Sequence, residues 1–223
     1  MKFVHPDLEG MLMSDQTMIL EWVIESPELF SGYVQELERQ TKGGEGKFVL
    51  SEKNKELDIS KNMEMIWNPF MIDINDKKSL NRLYTQLAEL SESEELFMMT
   101  RQLNQCIQEY LAEMESKTPY ILAYENNLNF AELLKAADVK YEVMEEDFFG
   151  TLIRYLRICT EVFRTKMVVF INARSYLTDE QMDELIKNAL YVDLKLLFIE
   201  NREKDCISGV ARYIIDIDNC EIF

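Results

Sequence analysis

The chain has 223 residues, of which 47% are hydrophobic and only 7 are glycine. This length and composition indicate one large globular domain, or a domain with a sizeable insertion, and few flexible linkers. No apolar stretch is long enough to span a bilayer, and the N-terminal residues lack the apolar core of a signal peptide, so we expect a cytoplasmic protein with no membrane segment.

The formal net charge is −17, from 24 basic and 41 acidic residues. Taken alone, this opposes nucleic-acid binding, because phosphate contacts need concentrated positive charge. The charge is segregated along the chain, however. Residues 150–174 contain five basic residues and one acid, whereas residues 109–147 contain ten acids and three lysines. Two explanations of this distribution are therefore open: clustered carboxylates that bind divalent cations, and a local basic surface.

Metal-binding and catalytic classes that depend on cysteine or histidine are not expected. The four cysteines are far apart and form no CxxC pair, and His5 is the only histidine. A structural zinc site needs clustered Cys and His ligands, and Ser-His-Asp or Cys-His catalysis would have to use His5. Reduced cysteines in a cytosol are the simplest interpretation of the four thiols.

In chain order, the pattern predicts short strands at Phe3-Val4 and Met11–Met13 and a longer one from Thr17 to Ile24. Ser26-Pro27 has the signature of a helix start, and the glycines of residues 43–46 end that helix.

The glycine cluster is not a phosphate-binding P-loop. Gly46-Lys47 is followed by Phe48 and an apolar run, where a P-loop needs Ser or Thr and then a helix. The polar residues from Ser51 to Glu56 are predicted to form a solvated loop, with a phosphate-contacting edge as the minority alternative. Met63–Trp67 is predicted as a strand or a short helix.

Two long amphipathic helices are predicted next. The first is capped by Asp76, and the second begins after a fresh N-cap at Ser91–Ser93 and ends before Pro119. Their apolar stripes predict packing in a core, with an oligomer interface as the alternative, and together they suggest an antiparallel arm or helical subdomain. A helix at Leu128–Ala136 and a strand at Val139–Met144 follow.

The last third predicts the centre of a sheet. A helix over Asp147–Arg164 leads to an apolar strand at Met167–Ile171, a helix from the N-cap Thr178 to Tyr191, and an apolar strand at Leu194–Ile199. Such a βαβ unit should have parallel strands and a right-handed crossover. One or two final strands are predicted at Tyr213–Ile215 and Glu221–Phe223.

The order of these elements resembles a known family. The segments Lys166–Asn172, Tyr176–Thr178 and Leu196–Arg202, with Met71–Asn75 and Glu132–Ala136 upstream, are similar to the small spacer-acquisition protein of type II-A CRISPR systems. The resemblance runs from about Ser51 to the C-terminus. It implies an α/β fold: a sheet-centred head domain (1–75 and 137–223), related to a degenerate P-loop ATPase without nucleotide chemistry, and an inserted α-helical domain (76–136).

The resemblance also implies a function. Proteins of this family form homotetrameric rings that bind the ends of linear double-stranded DNA, are held in shape by calcium ions (Ca2+), and act with other CRISPR adaptation proteins and the guide-directed nuclease. Carried over by position, Lys53, Lys55 and Lys135 are DNA-channel candidates, and Arg82 and Lys140 are added from their neighbourhoods. The calcium candidates are Glu125, Asn126 and Glu132, although Asn126 is an amide where the family has an acid.

Two other functions stay open. The density of carboxylates from Glu125 to Glu146 is compatible with a divalent-metal nuclease or NTPase, since two-metal chemistry needs several converging acids. Asn172 and Glu200 are then the only polar candidates at strand ends. A scaffold that binds other adaptation proteins through its helical arm is the third hypothesis, and it is compatible with the first.

Overall fold

The computed structural model describes residues 1–143 and 147–222. It is an α/β protein whose contacts divide it into two compact units, Met1–Ile72 with Glu145–Phe223, and Asp73–Met144. None of the helices in the described ranges is long and apolar enough to cross a membrane.

The first unit contains a six-stranded sheet in the order β5-β6-β7-β2-β8-β9. The first five strands in this order run parallel, and β9 at the edge is antiparallel to β8. The strands are β2 (Ile19–Ile24), β5 (Met63–Ile66), β6 (Met167–Ile171), β7 (Lys195–Glu200), β8 (Ala211–Ile215) and β9 (Glu221–Ile222).

The predicted βαβ unit is confirmed at the centre of this sheet. β6 and β7 pair in parallel, and every residue of both strands is buried. The helix between them, α7 (Asp179–Tyr191), begins with a capping box in which the side chains of Thr178 and Gln181 each accept from the other's backbone N–H. Burial of both faces explains why these strands are continuous apolar runs rather than alternating ones.

A second sheet in the same unit is small and antiparallel, in the order β1 (Lys2–Val4), β3 (Val49–Glu52), β4 (Lys55–Leu57). The expectation of a strand at Met11–Met13 is wrong, because only Met13 forms a single bridge, to Phe3. The predicted loop at Ser51–Glu56 is also wrong, since these residues form the β3–β4 hairpin.

Besides α7, this unit contains three further α-helices: α1 (Pro27–Thr41), α2 (Ile59–Asn62) and α6 (Phe148–Glu161). Ser26 caps α1 as predicted, by accepting from the Leu29 N–H, and Asp147 caps α6 by accepting from the Gly150 N–H. The side chains of Trp22, Phe3 and Phe48 fill the space between the two sheets and α1, and they are fully buried.

The second unit contains α3 (Lys77–Ser91), α4 (Phe97–Ser116) and α5 (Phe130–Ala136). Asp76 caps α3 as predicted. The fresh N-cap expected at Ser91–Ser93 is wrong, because α4 begins at Phe97 after Leu96, which makes no side-chain cap bond. No residue of α4 is buried, so the predicted core packing of its stripe is wrong too. Residues 139–143 form no strand, and Met144 lies outside the described residues.

Candidate nucleic-acid interface

Two of the predicted DNA-binding residues, Lys53 and Lys55, lie at the tip of the β3–β4 hairpin. Glu52 pairs with Lys55 across the strands, so Lys53 and Asn54 form a two-residue turn. Both turn residues have positive φ, 49° and 61°, as a type I′ turn requires. Lys53 and Lys55 are exposed, and neither takes part in an ion pair with another described residue. The hairpin therefore presents two free cations to solvent.

Lys53 is an unfavourable residue for its position. A type I′ turn favours Gly, which has no Cβ atom to clash with the following carbonyl group at positive φ, and Asn, whose short polar side chain can hydrogen-bond locally. This conformation costs roughly 1–2 kcal/mol for an ordinary L-residue. The turn thus keeps a lysine where an asparagine would be more stable.

An ion pair links this hairpin to the large sheet. The Lys166 ammonium lies 2.5 Å from the Glu52 carboxylate, and the hydrogen bond it donates holds the pKa of Glu52 below its usual range. The Lys166 backbone N–H also donates to the carbonyl of Asn62, the residue just before β5. The hairpin is consequently attached to the amino ends of β5 and β6.

In the second unit, Arg82 lies on an exposed face of α3. It lines an open depression of about 850 Å³ together with Asp76, Lys77, Lys78, Asn81 and Thr85. Positions 77, 78, 81, 82 and 85 share one side of a helix, because residues three and four apart are neighbours there. The structure therefore groups Arg82 with two lysines that sequence reasoning did not select.

The other two predicted cations of this unit are already paired. Lys135 donates to Glu132 at 2.8 Å within α5, and Lys140 donates to Asp138 at 2.8 Å. The hydrogen bond that Lys140 donates to Asp138 raises the pKa of Lys140. Both pairs are exposed, so each lysine can exchange its carboxylate for a phosphate at small cost.

The predicted calcium ligands do not form a preformed metal site in this chain. The carbonyl oxygens of Glu125 and Asn126 accept hydrogen bonds of 2.9 Å from Gln108 and Asn104 of α4, and the Glu132 carboxylate is occupied by Lys135. Within residues 1–143 and 147–222, no group of three or more Asp, Glu, His or Cys residues could hold a metal. Calcium takes six to eight oxygen ligands, so these residues alone do not fit it.

The central strands contain charged residues of a different kind. Glu21 of β2, only 2% exposed, is paired with Arg174 at 3.1 Å and with Arg212 at 2.5 Å. Sequence reasoning missed Glu21 and Arg212, although a lone acid in the apolar run ILEWVI was a signal of a buried pair. Because both guanidinium groups are committed to Glu21, neither is free to clamp a phosphate beside Glu200.

His5 serves the fold. Its ring is buried against Phe48 and Tyr33, its Nδ1 accepts from the Asp7 N–H, and its Nε2 faces the Glu36 carboxylate at 3.4 Å. A ring so enclosed has no access to a substrate.

These features define a class: an α/β protein with a helical second unit and exposed lysines on a strongly acidic chain. A sequence model of a CRISPR-associated protein family, Cas_Csn2, matches residues 40–219. The chain therefore belongs to this family, and the resemblance drawn from its motifs is confirmed.

Two relatives give the extent of the similarity. The chain is 25% identical over 214 residues to the CRISPR-associated protein Csn2 of Streptococcus agalactiae, which covers 94% of this chain and 91% of that protein. It is 24% identical over 145 residues to Csn2 of Enterococcus faecalis, covering 65% of this chain and 64% of the relative. The names state an association with CRISPR and no enzymatic activity.

Proposed function

We propose that this protein binds linear double-stranded DNA without sequence preference and without catalysis, as a homotetrameric ring acting in CRISPR spacer acquisition. The observation that carries the proposal is the hairpin tip, where Lys53 and Lys55 are exposed and have no ion-pair partner among the described residues, on a chain of net charge −17. Cations of this kind bind phosphate oxygens, which carry no sequence information. Family membership supports the association with CRISPR.

The first strand of the parallel sheet supports a head without nucleotide chemistry. In P-loop proteins a phosphate-binding loop separates such a strand from the helix that follows. Here β2 ends at Ile24 and α1 begins at Pro27, so only Glu25 and the N-cap Ser26 intervene. We infer that the head is a relative of the P-loop ATPases that has no room for this loop.

Assembly from several copies is supported by α4. This helix of 20 residues buries none of them, and it exposes several large apolar side chains. Four of these side chains, Met99, Leu103, Tyr110 and Met114, recur at intervals of four and seven on one face of the helix, and exposed apolar surface of this kind marks a contact with another molecule. In the proposed ring, that molecule is a second copy of the chain. The exposed residues are Phe97, Met98, Met99, Leu103, Tyr110 and Met114.

Calcium binding by Glu125, Asn126 and Glu132 stays a prediction, and the DNA-binding proposal does not depend on it. A single copy supplies two carboxylates and one side-chain amide here, fewer ligands than calcium takes. We expect a calcium ion, if one is held at this segment, to draw further oxygen ligands from another copy.

The test compares linear and closed circular duplexes of one sequence in a gel-shift experiment, with calcium or a chelator and at two salt concentrations. A ring threaded by DNA shifts the linear form selectively, and the shift weakens steeply with salt because phosphate contacts release counterions. A closed circle can bind to a protein surface as well as a linear duplex can, but it has no end that could enter a ring.

Each outcome has a definite meaning. Selective shifting of linear DNA supports both binding and threading. Equal shifting of both forms removes the ring and keeps DNA binding. No shift at low salt with calcium present overturns the proposal and leaves the scaffold role. That role is then tested by capturing adaptation proteins with the full chain.

A further inference from the structure

Two residues have a backbone conformation that does not suit them. Seven described residues other than glycine have positive φ, and five of these are Asn or Asp, which tolerate it. The other two are Lys53, with φ 49°, and Arg164, with φ 57°. Both are basic and both are exposed.

Arg164 lies in the turn that ends α6. The Thr165 N–H donates to the Cys159 carbonyl at 2.8 Å, and the seven-residue turn that this bond closes contains Arg164 in the left-handed conformation. Glycine is the residue that adopts this conformation most readily, because it has no Cβ atom to clash. An arginine at this position makes the turn less stable than a glycine would, which points to a role outside the turn itself.

Arg164 and Lys53 belong to the same edge of the first unit. Arg164 precedes Lys166 by two residues, so their Cα atoms are at most about 7 Å apart. Lys166 is in turn bonded to Glu52, the neighbour of Lys53. Lys61, beside Asn62, is adjacent to Lys166 through the Lys166 N–H bond to the Asn62 carbonyl.

The charges on this edge divide into paired and free ones. Lys166 is held by Glu52 at 2.5 Å and Lys61 by Asp58 at 3.3 Å. Arg164, Lys53 and Lys55 have no ion-pair partner in the described part of the chain. Three free cations therefore remain at one edge of a chain whose net charge is −17.

We propose that Arg164 is a phosphate-contacting residue that, with Lys53 and Lys55, forms one basic edge for the backbone of double-stranded DNA. The proposal rests on the proposed function and names a residue that neither the family resemblance nor the predicted site contained. Arg164 suits phosphate because its guanidinium stays charged and presents a fork of N–H donors.

A purely structural role for Arg164 predicts a different behaviour. A cation at the C-terminal end of α6 can stabilise the helix through the helix dipole. In that case, Arg164→Gln would lower the melting temperature, and neither Arg164→Gln nor Arg164→Gly would change DNA affinity specifically. In our proposal, Arg164→Gly raises the melting temperature or leaves it unchanged and still weakens DNA binding.

The experiment measures the fluorescence anisotropy of a labelled linear duplex with the full-length protein over a series of salt concentrations. The variants are Arg164→Gln, Arg164→Gly and Arg164→Lys, with Arg202→Gln as the matched control. Arg202 is exposed and follows β7, so its replacement removes the same charge at the opposite, carboxyl edge of the parallel strands. Thermal unfolding of every variant shows that it is folded.

We expect Arg164→Gln and Arg164→Gly to make the plot of log affinity against log salt shallower by about 0.9 for each phosphate that the variant no longer neutralises. Arg164→Lys should retain most of the slope, and Arg202→Gln should retain all of it. Equal slopes for Arg164→Gln and Arg202→Gln overturn this inference while the proposed function stands. Absence of binding by the parent protein overturns both.

Discussion

The carboxylate of Glu200 accepts a hydrogen bond of 3.0 Å from the backbone N–H of Arg174. The guanidinium of the same arginine lies against Glu21 instead, so Glu200 is buried without a full counter-charge. Burial is the main reason that the pKa of Glu200 is raised to about 7, and the nearby Glu21 raises it further. This end of β7 is therefore sensitive to pH within the physiological range.

The raised pKa predicts how Glu200→Gln changes stability. The folded state holds the proton more tightly than the unfolded state, so stability is lost as pH rises from about 4.5 to above 7, by roughly 3 kcal/mol in all. We expect the variant to melt several degrees above the parent at pH 8 and at the same temperature near pH 4.5. Scanning calorimetry across this range measures the difference. Glu184→Gln, an exposed change on α7, should show no such trend.

The buried pairs of Glu21 predict a second effect. Glu21→Gln leaves the Arg174 and Arg212 guanidinium groups facing a neutral amide at a site where Glu21 is 2% exposed. Removing one partner of a buried pair costs about 3–5 kcal/mol. Asp179→Asn is the matched control, because Asp179 pairs with the same Arg174 at 3.5 Å but its side chain is 88% exposed. An exposed pair contributes at most about 1 kcal/mol.

Urea denaturation of these two variants and the parent separates the effects. A large drop in midpoint for Glu21→Gln with almost none for Asp179→Asn is expected. Equal drops would mean that solvent screens both pairs alike and that the network contributes nothing through burial.

The centre of the fold could be predicted from sequence because its signals are local. Uninterrupted apolar runs indicated β6 and β7, and Thr178 and Gln181 formed the capping box that starts α7. The β3–β4 hairpin was missed because its residues are polar and its turn, Lys53-Asn54, lacks the glycine that signals type I′. The stripe of α4 was misjudged because periodicity shows that a face is apolar, not what covers it.

The candidate site could be predicted from the sequence only in part. Lys53 and Lys55 were predicted from the family resemblance, because two lysines in a polar stretch do not indicate a function by themselves. The bond between Lys166 and Glu52 joins residues 114 positions apart, and no pattern in one sequence indicates such a pair. The positive φ of Arg164 likewise depends on how α6 ends, at Glu161 rather than at the predicted Arg164.

The exposed face of α4 predicts the effect of charge on assembly. Met99 and Leu103, four residues apart on one face, are 65% and 42% exposed, and burying them between copies would contribute hydrophobic stabilisation. Replacing both with lysine should therefore yield a smaller species by light scattering after size-exclusion chromatography. Gln105→Lys adds a charge at an exposed polar position of the same helix and should leave the mass unchanged. An unchanged mass for the double variant would contradict an interface on this face.

The hairpin turn predicts a variant in which stability and DNA binding change in opposite directions. Lys53→Asn puts a residue that tolerates positive φ at the first turn position, so the free energy of unfolding should rise by about 1 kcal/mol. The same change removes a free cation, so affinity for a linear duplex should fall and its dependence on salt should weaken. Arg202→Asn removes an equal charge at the carboxyl edge and should do neither. If Lys53→Asn gained stability and bound DNA as tightly as the parent, Lys53 would not contact phosphate; if it lost stability, the lysine would be stabilising the turn by a contact of its own.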